Sequence, residues 1–358
     1  MPTKNRALIF TKPPTGMPVP GEHVTVKDVG FDLDAPAPEN GMVLETLYVS
    51  LDPYLRGLLR DPSIKSYMPA VPLGSPIPSL SLSRVVKSNL TDYKEGDIVR
   101  HGLPIQEYNT FVVTKGAEGS VVNPAKPEKI DPSSVNDIRH YLGALGMPGL
   151  TAYSSLYEIG KPKRGETIVV SSAAGAVGQL VGQLAKHEGL KVFGSVGSDD
   201  KLAYIANELG FDGGWNYKKE KSTLEAIHRL TNNNGIDIFY DNVGGEQLEG
   251  AFDALNWHGR VIECGQISQY NLPPEERYPI RNTFNIVSKR LQVEGFLVGD
   301  ERFGPKWAKE HAENVTKWLR DGTFVAKIHE TVGIENAGHA FVGMLKGENF
   351  GKTVLKVR

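Results

Sequence analysis

Cysteine is almost missing from this chain: its 358 residues include one, Cys264. That excludes an intrachain disulfide and fits a reducing compartment. It also excludes a four-cysteine structural zinc site. The 9 histidines are scattered and include no close pair of the H-x-x-x-H kind, so a catalytic zinc site is not supported either. Charge of one sign is missing too. The 40 Lys and Arg nearly balance the 42 Asp and Glu, for a formal net charge of −2, and no basic tract marks a nucleic-acid partner. No apolar run reaches the length of a membrane span. The first ten residues carry basic side chains but no apolar stretch of the secretory kind. The expectation is therefore a cytoplasmic protein with no membrane and no nucleic-acid partner. Hydrophobic residues at 40% and charged residues at 23% are ordinary for a globular chain long enough to hold two cores.

Proline and turn residues dominate the first 130 or so positions, with short β-rich pieces between them. Met42–Val49, Ser83–Lys87, Asp97–Arg100 and Thr110–Val113 predict strands of an irregular, partly barrel-like β domain. From about Val135 the rhythm becomes alternating strands and helices. Strands are expected at Thr167–Ser171, Lys191–Ser195, Ile236–Tyr240, Arg260–Cys264 and Gln292–Val298. Helices are expected at Lys201–Leu209, Thr223–Leu230, Gln247–Leu255 and Trp307–Leu319, with a last strand at Lys352–Val357. The alternation predicts a doubly wound parallel sheet covered on both faces, an α/β class of fold. The expected division is 1–134 with 305–358 for the β-rich domain and 135–304 for the nucleotide-binding domain.

The most informative stretch runs from Val169 to Gly178. An apolar strand enters a small-residue turn, and a helix opens directly behind it. Pyrophosphate binding needs that arrangement, because backbone N–H groups must approach the oxygens and the helix N-terminus adds partial positive charge. Read as G-x-G-x-x-G, the segment has Ala173 in the first glycine position, then Gly175, Ala176, Val177 and Gly178. About twenty residues on, where an NAD-binding domain places an acid for the ribose, the end of the second strand is Gly194-Ser-Val-Gly-Ser198. No carboxylate stands there. Asp199 and Asp200 suit the cap and first turn of the next helix, and Lys201 could meet a 2′-phosphate. These residues favour NADP(H) over NAD(H).

Without a metal, oxidation of an unactivated alcohol loses its usual route to an alkoxide, whereas hydride transfer to an electrophilic carbon stays accessible. Cys264 follows an apolar strand with no neighbouring base, which argues for a small packed residue over a nucleophile. Arg56 and Arg281 could meet an acidic substrate group, or form surface salt links.

Taken in order, several motifs resemble one family. They are Val49-Ser-Leu-Asp-Pro-Tyr-Leu-Arg56, Gly143-Ala-Leu-Gly-Met-Pro-Gly-Leu-Thr-Ala-Tyr153, the 173–178 turn and Gly197-Ser-Asp-Asp-Lys201. Phe239-Tyr-Asp-Asn-Val-Gly-Gly245, Cys264-Gly-Gln-Ile-Ser-Gln-Tyr-Asn271 and Leu345-Lys-Gly-Glu-Asn-Phe-Gly-Lys352 continue the series. The chain resembles the zinc-independent medium-chain dehydrogenases/reductases, and within them the alkenal/one oxidoreductases, which include double-bond and prostaglandin reductases. The resemblance implies a Rossmann domain joined to a GroES-like domain, and a homodimer. It places Thr151 near the nicotinamide and the 175–178 turn on the pyrophosphate. It assigns Lys201 and Tyr217 to the 2′-phosphate. Asn242, the run Cys264, Gly265, Gln266, Ile267, Ser268, Gln269, Tyr270, the run Phe296, Leu297, Val298, and Asn349 would line the cofactor. The chain departs from the family at Ser79, Ser81 and Ser83, where many relatives carry glycine.

The implied reaction is NADPH-dependent reduction of the carbon–carbon double bond of a small α,β-unsaturated aldehyde or ketone. For it, Tyr270 is the leading donor to the developing enolate, and a packing role is its plainer reading. Tyr54 is a candidate for the substrate wall, or a core aromatic of the β domain. Quinone reduction on the same scaffold and a non-catalytic NADP-binding protein are the alternatives. An enoyl-thioester reductase would need a basic groove that the sequence does not reveal.

Overall fold

The computed structural model describes residues 3–113 and 126–358; residues 114–125, inside the expected first domain, lie outside the described residues. The chain divides into two compact units, Met1–Gly143 with Ile328–Arg358, and Ala144–Lys327. The first unit opens with β1 (Arg6–Phe10), β2 (Val24–Asp28), β3 (Gly41–Ser50) and the one-turn helix α1 (Leu55–Leu58). It continues with β4 (Pro78–Ser88), β5 (Ile98–Pro104), β6 (Tyr108–Val112) and β7 (Glu128–Ile130). The second unit begins with α2 (Met147–Ser155), β8 (Thr167–Val170), α3 (Gly178–His187), β9 (Lys191–Val196) and α4 (Asp199–Asn207). After these come β10 (Gly213–Asn216), α5 (Thr223–Thr231), β11 (Ile236–Asp241) and α6 (Glu246–Ala254). It ends with β12 (Leu255–Glu263), α7 (Phe284–Ser288), β13 (Gln292–Gly295) and α8 (Gly304–Arg320). The chain then returns to the first unit with β14 (Ile328–Val332), α9 (Ala337–Leu345) and β15 (Lys352–Lys356).

In the first unit a 7-stranded sheet runs β14-β15-β3-β4-β5-β7, with β6 also paired to β3, and β1 and β2 form a separate pair. All these pairings are antiparallel except β14–β15, which α9 connects as a parallel crossover. Leu8, Phe10, Leu51, Leu55, Phe341 and Leu355 fill one core; Met42, Leu44, Val85, Val99 and Phe111 fill a second. Between them, the register of β4 and β5 carries Ser79, Ser81 and Ser83 inward as buried hydroxyls. Ser81 Oγ donates to the His101 carbonyl at 3.2 Å. The three serines therefore satisfy polar groups inside the sheet, which glycine could not do.

The second unit is a 6-stranded sheet ordered β10-β9-β8-β11-β12-β13, and every neighbouring pair is parallel. This is the doubly wound order of a Rossmann fold. Its direction of growth reverses between β8 and β11, so the crevice outside the carboxyl ends of those two strands is the switch point. Val169, Phe193, Trp215, Phe239 and Val261 from the sheet pack with Ile227 of α5 and Leu248 and Phe252 of α6. The sequence patterns miss β10, whose Gly213-Gly-Trp-Asn216 has too few β-formers to read as a strand. They also overextend β13. The chain leaves the sheet after Gly295, and Phe296 packs against Phe303 with ring centroids 4.9 Å apart and the rings tilted by 38°. Helix α8 packs inside this unit: Tyr153 donates to Glu310 at 2.7 Å, and His311 bonds the Ala144 carbonyl at 2.8 Å.

Candidate active site

The turn after β8 explains the alanine at the first glycine position. The left-handed residue of the turn is Ser172, at φ 51°, so Ala173 escapes the conformation that would require glycine. Ala173 N–H is bonded to the Ser195 carbonyl at 2.9 Å, which ties the turn to β9. At Gly178 a Cβ would lie 2.4 Å from the Ser172 carbonyl, so only glycine lets α3 start this close to the turn. Gln179 N–H donates to the Gly175 carbonyl at 3.1 Å, and Leu180 and Val181 N–H donate to the Val177 carbonyl at 3.0 Å, so the turn and the start of α3 form one hydrogen-bonded corner.

The end of β9 builds a second cradle. Ser198 caps α4 by accepting from Lys201 N–H at 3.3 Å, and Asp199 and Asp200 occupy the first turn, as their positions predict. Asp199 accepts from Asn216 at 2.9 Å and pairs with Lys219, which docks the loop after β10 onto α4. Tyr217 then lies across Gly197, where a Cβ would approach its hydroxyl to 3.0 Å. The Lys201 ammonium is pulled below its ordinary value, first by desolvation and then by the nearby charge of Lys218. Two cations that oppose each other beside a small-residue turn fit an anion such as a 2′-phosphate.

The loops after β11 and β12 close together across the switch point. Asn242 N–H donates to Ser171 Oγ, and its side-chain amide donates to the Ser171 carbonyl, both at 2.8 Å. Ile267 N–H reaches the Asn242 carbonyl at 3.2 Å, and Ser268 bonds the Val243 carbonyl through both its N–H and its hydroxyl. In this loop Gln266 N–H donates to the Tyr270 phenol oxygen at 3.1 Å. That bond uses an oxygen lone pair of the phenol.

Beneath the loops lies an acidic pair that the sequence patterns do not single out. Asp241 and Glu263 face each other in the parallel register of β11 and β12. Asp241 is fully buried; desolvation pushes its carboxyl up to about 6 against bonds from Gly244, Val243 and Ser171. Glu263 is pushed up to about 7 by desolvation and by the charge of Asp241. Desolvation also pushes the Cys264 thiol up to about 12, so it stays protonated and is no nucleophile.

The other expected residues fall as follows. Thr151 is buried in α2, with its carbonyl accepting from Ser155 Oγ at 2.7 Å. Phe296, Leu297 and Val298 form the loop leaving β13, where the Val298 carbonyl accepts from Gly304 N–H at 2.9 Å. In the first unit, Asn349 donates to the Gly351 carbonyl at 2.7 Å, and half-buried Tyr54 stands at the start of α1. Burial, and then the charge of Asp52, push the Tyr54 phenol above its ordinary value. Arg56 is buried, with its guanidinium bonded to the carbonyls of Pro14, Gly16 and Leu59, so it clamps backbone and is no substrate anchor. Exposed Arg281 makes the alternative surface link, 4.0 Å from Glu249. Among the described residues no three His, Cys, Asp or Glu side chains gather as a set of metal ligands.

Comparison with known proteins agrees with this geometry. Residues 176–319 match a family model described as zinc-binding dehydrogenase, and residues 6–118 match one described as N-terminal domain of oxidoreductase. The chain is 46% identical to the NADP-dependent oxidoreductase RED1 of Cochliobolus heterostrophus, over 99% of this chain and 98% of that one. It is 37% identical to a 2-alkenal reductase (NADP(+)-dependent) of Nicotiana tabacum, over 99% and 97%. The crystal structure of CurA from Vibrio vulnificus in complex with NADPH superposes with a TM-score of 0.87 at 32% identity, covering 99% of both chains. NADP(H) is the cofactor that these relatives support. The chain belongs to the zinc-independent medium-chain dehydrogenases/reductases, in the branch of the alkenal/one oxidoreductases.

Proposed function

We propose that this oxidoreductase reduces the carbon–carbon double bond of α,β-unsaturated aldehydes and ketones. The observation that carries the reading is the Tyr270 phenol, anchored by Gln266 N–H in the loop beside the switch point. Bound NADPH supplies a hydride to the β-carbon of such a substrate. The protein's own part is to hold and protonate. The first turn of α3 and the Gly175–Gly178 backbone hold the pyrophosphate, while Lys201, Ser198 and Tyr217 hold the 2′-phosphate. As negative charge develops on the substrate carbonyl oxygen, the Tyr270 hydroxyl donates to it, and the N–H on its own oxygen stabilises the phenolate character that follows. The roles of Thr151, Asn242, the 264–269 and 296–298 loops, Tyr54 and Asn349 follow from the family resemblance.

We also propose a homodimer built on β13. Among the described residues this strand ends the parallel sheet with one edge unpaired, and Trp257 of β12 and Phe284 and Val287 of α7 are exposed. A cytoplasmic location accords with the single cysteine, and no helix among the described residues is long and apolar enough to cross a membrane. The deciding experiment follows NADPH consumption with a panel of enals, enones and quinones and identifies the products. Saturated aldehydes and ketones are expected; turnover with quinones alone would overturn the reading.

A further inference from the structure

The first unit contains a charged pair that the reaction as described does not use. Lys352, at the start of β15, and Asp52, in the turn between β3 and α1, are both almost wholly buried, with Nζ 3.0 Å from the Asp52 carboxylate. The same ammonium donates to the Leu51 carbonyl at 2.7 Å. The other Asp52 oxygen accepts from the Ser50 hydroxyl, and Leu51 N–H reaches the Thr353 carbonyl at 3.2 Å. The turn that ends in Pro53 and Tyr54 is thus held at Leu51 and Asp52 by one lysine and its neighbour, and Asp52 in turn holds the Ser50 hydroxyl.

An apolar pair of equal size would join β15 to this turn without desolvating two charges, so cohesion alone does not call for an ion pair here. What the charges add is direction. Helix α1 has one turn and no side-chain cap at Tyr54, and the bond between the phenol and Ser79 holds only the hydroxyl end, so the backbone that carries the ring is set by the turn before it. The ammonium fixes the Leu51 peptide and the Asp52 carboxylate together, and both immediately precede Pro53, whose ring restricts the backbone leading to Tyr54. We propose that Asp52 and Lys352 are positioning residues that set the orientation of the Tyr54 phenol towards substrate. This rests on the reading of Tyr54 as part of the substrate wall.

The test uses the full chain carrying Asp52→Asn with Lys352→Met, which removes both charges and keeps an acceptor for Ser50. The melting temperature and NADPH affinity should stay close to the parent values. The KM for a 2-alkenal should rise about tenfold while kcat changes by less than about threefold. With 3-fluorotyrosine at position 54, the 19F resonance should move or broaden. A folded double variant with parental KM and an unchanged 19F line would overturn the proposal. Ser50→Ala, which cuts only the hydroxyl bond to Asp52, should shift the same two readouts less; if the double variant does not fold, an unmoved 19F line in Ser50→Ala overturns the proposal instead. If the parent reduces no 2-alkenal, the substrate reading falls, and the 19F line still decides whether the pair positions Tyr54.

Discussion

The two units handle polar chemistry in opposite ways. In the second unit it lies at the open carboxyl ends of parallel strands and is delivered largely by backbone: the 172–178 turn, the start of α3, and N–H groups that fix Asn242 and Tyr270. In the first unit it is buried as side chains bonded to one another and to backbone carbonyls, with Asp52, Lys352 and the inward serines of β4 as its main members. Backbone-built sites depend on small residues and fail sharply when a Cβ is added. Side-chain networks depend on matched partners and fail by degrees.

Gly178→Val should sharpen that contrast most. The added atoms meet the Ser172 carbonyl at 2.4 Å, so NADPH affinity measured by fluorescence titration should fall by about 100-fold or more. Retained affinity would mean that the turn is not the phosphate site. Next, Lys201→Ala should weaken NADPH by about 10- to 100-fold and leave NADH nearly unaffected, because it removes a cation aimed at the 2′-phosphate. Equal losses for both coenzymes would break the assignment. Tyr270→Phe should lower kcat by about 10- to 100-fold with little change in NADPH affinity; full turnover would remove the phenol from the chemistry.

The smallest effect concerns the acidic pair of Asp241 and half-buried Glu263. Folding raises the carboxyl of Glu263 from 4.5 to about 7 and that of Asp241 from 3.8 to about 6. The folded state therefore holds more protons than the unfolded chain between roughly pH 4 and pH 7, and stability falls as pH rises through that window. Glu263→Gln should flatten the decline and raise the melting temperature at pH 8 by about 2–4 °C. An identical pH profile in the variant would show that Glu263 ionises without cost.

What the sequence made legible follows the same division. The β-α alternation revealed the sheet, and Asp199 and Asp200 announced the start of α4, although the cap itself is Ser198 and both aspartates lie inside the first turn. The departure at Ala173 becomes intelligible only in three dimensions, where the left-handed residue proves to be its neighbour Ser172. Strand β10 escaped notice because its neighbours, not its residues, make it a strand. Lys352 reads in sequence as an ordinary charge at a strand end; its burial comes from a pairing 300 positions away. Glu263 likewise looks like a strand terminus until the register brings Asp241 beside it.

The same long pairing bears on how the protein is made. Residues 144–327 can emerge from the ribosome and complete their parallel sheet while β15 is still untranslated. Until then Asp52 has no counter-ion and β3 lacks the edge partner that covers Val49 and Ser50. The β-rich unit must therefore finish last, although most of it is synthesised first, and the edge of β3 waits for the last strand of the chain.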